Sequence, residues 1–303
     1  MPNYLDIGID LGTSNSCISV WINGKPEIIL NDIGDKITPS YISFTKDKIN
    51  ILFCIKRLIG KNYEDKELQE DMKLCPFKII KDPKSDKPKL LVNYQNQEKD
   101  FYAEEILAMI LSYLKLIASN FLKKEIKEAI IAIPNYFNQL QIHAIKDIAT
   151  ISGLTVLRCS SESTLAGISY GFDKHYKIVN NIIVFDLGGG FLNISLISID
   201  YDFYDVQAFN GNNHLGEEVF DRKLMEYCID EFKKKYSIDI KDNSRALKRL
   251  KIYCEKAKID LSSSKSTNII IEDLIDGKDS DIIILRSKFE EICVDLFKKC
   301  ITH

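Results

Sequence analysis

A chain of 303 residues with 41 basic and 44 acidic side chains carries a net charge of −3, which offers a nucleic-acid backbone no basic surface. With 45% hydrophobic and 28% charged residues, and only 7 Pro and 14 Gly, collagen-like and disordered chains are excluded as well. The length is that of one large domain or two lobes.

The first residues, Met1-Pro2-Asn3-Tyr4-Leu5-Asp6, lack the basic-then-apolar order of a signal peptide. No apolar run is expected to reach the roughly 20 residues of a membrane span. Eight scattered cysteines without a C-x-x-C pair read as reduced core thiols, and the four histidines lie too far apart for a metal cluster. The expectation is a cytoplasmic protein with neither a nucleic acid nor a membrane as partner.

Tyr4 to Asp10 reads as an apolar strand, residues 11–15 as a turn, and Ser16 to Ile22 as an alternating strand. Asn23-Gly24 is a type I′ hairpin signal leading into Pro26 to Leu30, and Tyr41 to Phe44 is another short strand. Residues 82–100, rich in Lys, Pro, Asp and Asn, read as an exposed excursion around one strand at Lys89 to Tyr94. Ala103 to Phe121 sets Ile106, Leu107, Ile110, Leu114, Ile117 and Phe121 on one helical stripe. Glu128 to Ile133 is a strand stopped by Pro134. Asn138 to Ser152 is a helix closed by Gly153, Leu154 to Arg158 a strand, and Glu162 to Tyr170 a short helix ended by Gly171.

A second half opens at about Lys177. Asn181 to Phe185 reads as a buried-type strand, residues 186–190 as a turn, and Asn193 to Ile199 as a strand. Glu217 to Tyr236 and Ser244 to Ser263 are long helices. A last helix begins with a capping box at Ser287 to Glu290 and runs to about Lys299. Strands alternating with helices in both halves make the chain α/β.

Residues 9–16, I-D-L-G-T-S-N-S, and 185–192, F-D-L-G-G-G-F-L, are one device written twice: an apolar strand ending in Asp, a Gly-bearing turn, then a second strand. Repetition at so long a spacing points to duplicated lobes rather than a solenoid. Glycines let backbone N–H groups approach phosphate oxygens that a Cβ would block, and the hydroxyls of Thr13, Ser14 and Ser16 add donors. An Asp at each strand end suits hydrated Mg²⁺, which keeps several waters when bound through one or two carboxylates. A single such turn is more often a plain tight hairpin; two at matching positions suggest a clamp for a nucleoside triphosphate.

Further blocks share that register: T-P-S-Y at 38–41, K-R-L-I-G at 56–60, D-M-K-L-C-P-F at 71–77, I-P-N-Y-F-N at 133–138, H-L-G at 214–216 and C-E-K-A-K-I-D-L-S-S-S at 254–264. From about residue 4 to 299 the chain resembles the heat-shock 70 chaperones, specifically their actin-like ATPase domain. A sugar kinase of the same superfamily would share the hairpins but not these blocks. The resemblance implies a lobe at 1–176 and an incomplete one at 177–303, each a mixed sheet with flanking helices, and no substrate-binding domain. It implies ATP/ADP and Mg²⁺ as ligands. Asp10 and Asp186 would organise the hydrated metal, and Glu162 its water shell. Thr13 and Ser14 would contact phosphates, with Gly12, Gly188, Gly189 and Gly216 lining the cleft. Lys56 would position the attacking water or γ-phosphate, and Glu255, Lys258 and Ser262 would hold ribose and adenine from one helix face. Taken singly, Lys56 reads as a solvated loop cation, and Glu255 with Lys258 as an exposed ion pair.

Several positions depart from the family pattern. Phe191 and Asn193 stand where the second phosphate loop has Thr and Asp, so a hydroxyl and a carboxylate are lost and the ring would crowd the γ-position. Glu217 adds a carboxylate where the family has G-G-E, Ser163 replaces the Pro of E-P-T, and Ile142 replaces an Arg. The stretch between Phe44 and Asn50 is shorter, and the closing adenosine loop and helices do not follow residue 303. These departures imply a heat-shock 70-like ATP-binding protein with weak or absent hydrolysis. A second reading is a non-catalytic module for co-chaperones or nucleotide-exchange factors, and a third is a non-functional fragment.

Overall fold

The computed structural model describes residues 6–302 apart from 45–49, 53, 73–74, 76, 95–96, 173, 175–177, 202 and 242. The expected strand start at Tyr4 and Leu5, the shortened stretch before Asn50, part of the 71–77 motif, the opening of the second half at Lys177, and His175 and His303 lie outside the described residues. The chain packs as two compact units, Met1–Asn213 and His214–His303. Both Asp-Gly hairpins belong to the first.

That unit opens with an antiparallel meander of β1 (Ile7–Asp10), β2 (Asn15–Ile22) and β3 (Lys25–Ile28). Between β2 and β3, Asn23 and Gly24 hold φ of 54° and 78°, the left-handed pair that a type I′ turn demands. β4 (Thr38–Pro39) pairs with the start of β2, and β5 (Ile42–Phe44) with β6 (Asn50–Leu52). A 3₁₀ turn at Ile55–Arg57 and the short helix α1 (Lys66–Met72) follow.

The strand expected at Lys89 to Tyr94 is present, but it is not a lone strand in an exposed excursion. β7 (Lys78–Lys81), β8 (Pro88–Tyr94) and β9 (Gln97–Tyr102) form a three-stranded antiparallel sheet. Strand alternation turns Leu90 and Val92 into the core, and Phe101 stacks on Phe44 with centroids 5.4 Å apart. The polar residues that looked like loop instead close the turn: Asp82 accepts from the hydroxyls of Ser85 and Tyr102.

α2 (Ala103–Leu122) buries its predicted stripe through Ile117 and adds Leu111 and Ala118; Phe121, in the last turn, is exposed. Periodicity assigns a face without saying how far the covering surface extends along it. By length and composition α2 is apolar enough to cross a membrane, against expectation, yet here its inner face belongs to the core. β10 (Glu128–Ile133), α3 (Gln139–Ile151), β11 (Thr155–Ser161) and α4 (Glu162–Gly171) complete the sheet order β11-β10-β1-β2-β3, with β10 parallel to both β1 and β11. Asn138 caps α3 by accepting from Gln141 N, while the Gln141 side chain accepts from Asn138 N.

β12 (Asn180–Leu187), β13 (Leu192–Asp200) and β14 (Phe203–Asn212) repeat the opening meander. α4 covers one face of it so closely that a Cβ on Gly167 would come within 2.4 Å of Ile197 Cδ1. The other face is open, which corrects the buried-type reading of residues 181–185: Ile183 and Phe185 are 74% and 52% exposed. An unbroken apolar run did not mean burial on both faces. The register makes the duplication literal, since Asp10 stands opposite Cys17 on the β1–β2 ladder and Asp186 opposite Asn193 on β12–β13.

The second unit holds α5 (Glu217–Tyr236), α6 (Ser244–Leu261), the hairpin β15 (Ser266–Ile275) and β16 (Lys278–Leu285), then α7 (Arg286–Ile292) and α8 (Val294–Thr302). The capping box expected at Ser287 is absent. α7 starts directly from β16 with Leu285 at its cap, and the expected single helix is interrupted at Cys293. Arg286 decides the start by donating to the carbonyls of Leu261 and Ser264 at the end of α6.

Candidate functional site

In the first unit the two hairpins touch. A Cβ on Gly189 would lie 2.1 Å from Ser14 Oγ, and one on Gly190 would lie 2.8 Å from Thr13 Oγ1. The glycines therefore serve first to let one turn pack on the other. Gly188, whose N–H donates to Phe191 O at 3.0 Å, has room for a Cβ, while Gly12 is pressed against Asn15 O within its own turn.

Lys56 reaches this place through close packing of its loop. Gly60 adopts φ 64° with its α-carbon against the backbone of Leu140 and Gln141, where a side chain would collide. Lys56 is 1% exposed and donates to Glu162 Oε1 at 2.8 Å. It is no solvated loop cation. Glu162, the first residue of α4, is held with its carboxylate at a helix N-terminus, where negative charge is favoured.

Asn193 ties the cluster together. Its Nδ2 donates to Glu162 Oε2 and to Asp186 Oδ2, each at 3.0 Å, and its Oδ1 accepts from Asn135 N at 3.0 Å. Asp10 completes the group: loss of water around its carboxyl pushes it up to about 6, with Lys56 pulling down and Glu162 and Asp186 adding to the rise. On the opposite strand, burial and the Asp10 charge likewise raise the Cys17 thiol.

The Phe191 ring packs inward. Phe191 is 7% exposed, meets Phe137 edge-on at 6.0 Å, and sits under Lys56 and Arg57 at 5.9 and 5.7 Å. Arg57, which sequence reasoning passed over, donates to Gly190 O at 2.8 Å and Asn213 O at 3.1 Å and so pins the second turn. Its sequence signal was its place beside Lys56 in the K-R-L-I-G block. Ser163 is fully buried and joins Asn135 and Ser195 at 2.8 and 2.6 Å.

Asp10, Gly12, Thr13, Ser14, Lys56, Glu162, Asp186, Gly188 and Gly189 thus belong to one neighbourhood. Gly216, Glu255, Lys258 and Ser262 belong to the second unit: Gly216 is the N-cap of α5, and Ser262 the C-cap of α6. Lys258 is not the partner of Glu255 that its spacing suggested. It pairs with Asp221 Oδ1 at 2.9 Å and Glu217 Oε2 at 3.5 Å, across from α6 to α5. Burial pushes Asp221 up to about 6 even so.

Among the described residues no three His, Cys, Asp or Glu side chains converge to cage a metal. Two strand-end carboxylates are the donor set of a hydrated Mg²⁺ held mainly by water and phosphate, and Asp10 and Asp186 fit that chemistry. Five of the cysteines, Cys54, Cys228, Cys254, Cys293 and Cys300, are buried.

A family model described as Hsp70 protein matches residues 6–303. Heat shock cognate 70 kDa protein 3 of Dictyostelium discoideum is 44% identical, over 97% of this chain and 50% of its own length. The proteins named heat shock 70 kDa protein from Emericella nidulans and Neurospora crassa are each 42% identical, over 96% of this chain and 47% of theirs. The chain spans about half the length of these relatives.

Proposed function

The chain belongs to the heat-shock 70 family, whose ATPase fold is actin-like, and from that premise we propose that it binds ATP and ADP with Mg²⁺ between its two Asp-Gly hairpins. The observation that carries the reading is the meeting of Asp10, Lys56, Glu162 and Asp186 around turns that pack Ser14 on Gly189. Bound there, Mg²⁺ would offset the charge of the phosphates. Asp10 and Asp186 would orient its waters, and Thr13 and Ser14 would donate to phosphate oxygens. Lys56, fixed by Glu162, would aim its cation at the charge that develops on the transferred phosphoryl group. Gly216, Glu255, Lys258 and Ser262 would serve the nucleoside.

Hydrolysis is weak in this reading. Phe191 supplies no hydroxyl to a phosphate and Asn193 no carboxylate, and loss of one preorganised polar group typically costs about 10²–10³ in rate. A boundary between lobes near residue 176, a cytoplasmic location and binding of co-chaperones or exchange factors are part of the same proposal. Calorimetry of the purified chain with Mg²⁺–ADP tests it. Micromolar binding with a raised melting temperature is expected. No heat from a cooperatively melting chain would overturn nucleotide binding and favour the co-chaperone-binding module. Phe191→Thr with Asn193→Asp should raise turnover; unchanged turnover in a folded double variant would refute the account of weak hydrolysis.

A further inference from the structure

Every polar atom of the Asn193 side chain is used. It is 2% exposed and stands on β13 directly opposite Asp186. The orientation of the amide follows from its partners: the Asn135 N–H requires an acceptor, and the carboxylates of Glu162 and Asp186 require donors. One neutral group thereby holds two acids that would otherwise repel each other. The first hairpin has no counterpart in kind, because the matching position is a thiol, Cys17.

We propose that Asn193 is a positioning residue that fixes Glu162 and Asp186 in place without a metal ion, so that the acidic cluster of this chain is preorganised before Mg²⁺ arrives. What those acids are then used for rests on the nucleotide-binding reading; the clamp itself does not. An ionised Asp at 193 would donate to neither acid and would bring a fourth carboxylate beside Asp10, Glu162 and Asp186, with Lys56 as a cation among them. Such a cluster needs a divalent ion to hold together; the native one does not.

The test is a double-mutant cycle read by thermal melting, in EDTA and in Mg²⁺, without nucleotide. In EDTA, N193D should melt about 3–8 °C below the parent, several kelvin being what a loss of one or two hydrogen bonds gives at this size. Mg²⁺ should return most of that loss to N193D and little to N193A, which has neither clamp nor new charge. Adding E162Q to N193D supplies an amide facing the new acid with donor and acceptor exchanged, and should restore at least half of the loss. A side chain that merely filled space would give additive losses in the cycle and equal Mg²⁺ responses, and either result would overturn the proposal. If N193D alone gives no cooperative melt, the E162Q/N193D chain must give one; its failure also refutes the clamp. Absence of ADP binding by the parent would sink the nucleotide reading while leaving this cycle readable.

Discussion

The two hairpins share a backbone register and differ in what surrounds their acids. At the first, Asp10 faces a thiol with its side chain still exposed, and the protein around its carboxyl raises it to about 6. At the second, Asp186 faces an amide that donates to it and to Glu162. Identical ladders therefore do not give identical acids. The side chain seven residues further on, across the turn, decides whether the carboxylate is held or merely confined.

The sharpest way to break this contrast is Lys56→Met, which removes the cation that pairs with Glu162 and acts on Asp10. Taking one partner from a buried pair leaves the other uncompensated, at a cost on the order of 3 kcal/mol. Urea unfolding should show that loss, and a change below about 1 kcal/mol would mean that Asn193 alone sustains Glu162. Contact between the hairpins is probed next. Gly189→Ala drives a Cβ into Ser14 and should cost about 1–3 kcal/mol, whereas Gly188→Ala, with nothing nearer than 3.8 Å, should stay within about 1 kcal/mol of the parent. Equal effects in chemical denaturation would show that the turns do not pack as described.

The smallest effect belongs to Asp10→Asn. Because the folded value near 6 exceeds the ordinary 3.8, the folded chain holds the proton more tightly, and ionisation of Asp10 opposes folding. Stability from this group is present in full below about pH 4 and is lost as pH rises through 6. The variant should therefore gain on the parent between those values and keep a constant advantage above them. Parallel midpoints at pH 4.5 and 7.5 would contradict that.

Much of the first unit was legible in the residues. Asn23-Gly24 placed a turn because few residues tolerate two successive positive φ values, and the Asp-Gly repeat located both hairpins. An equivalent signal at Asp276-Gly277, with φ of 49° and 71°, marks the β15–β16 hairpin and went unread. β7, β9 and β14 carried no such signal: the charged residues of β7 and β9 face outward, and β14 is exposed along most of its length, apolar residues included. The candidate site divides in the same way. Asp10, Asp186 and the glycines follow from local chemistry, but Arg57 and the buried state of Lys56 depend on segments far away in the chain.

Composition, the period of apolar residues and the twice-written turn determined by themselves an α/β chain with paired Asp-Gly hairpins, because backbone conformation and amphipathic faces are local properties. Family membership was equally readable there. Tertiary structure alone decided that Asn193 donates to two acids rather than standing as a lost carboxylate. It also decided that Phe191 lies under two cations, and that Lys258 belongs to Asp221 and Glu217. Hydrogen bonds and ion pairs are chosen by which groups meet after packing, and sequence spacing within one element does not specify the partner from another.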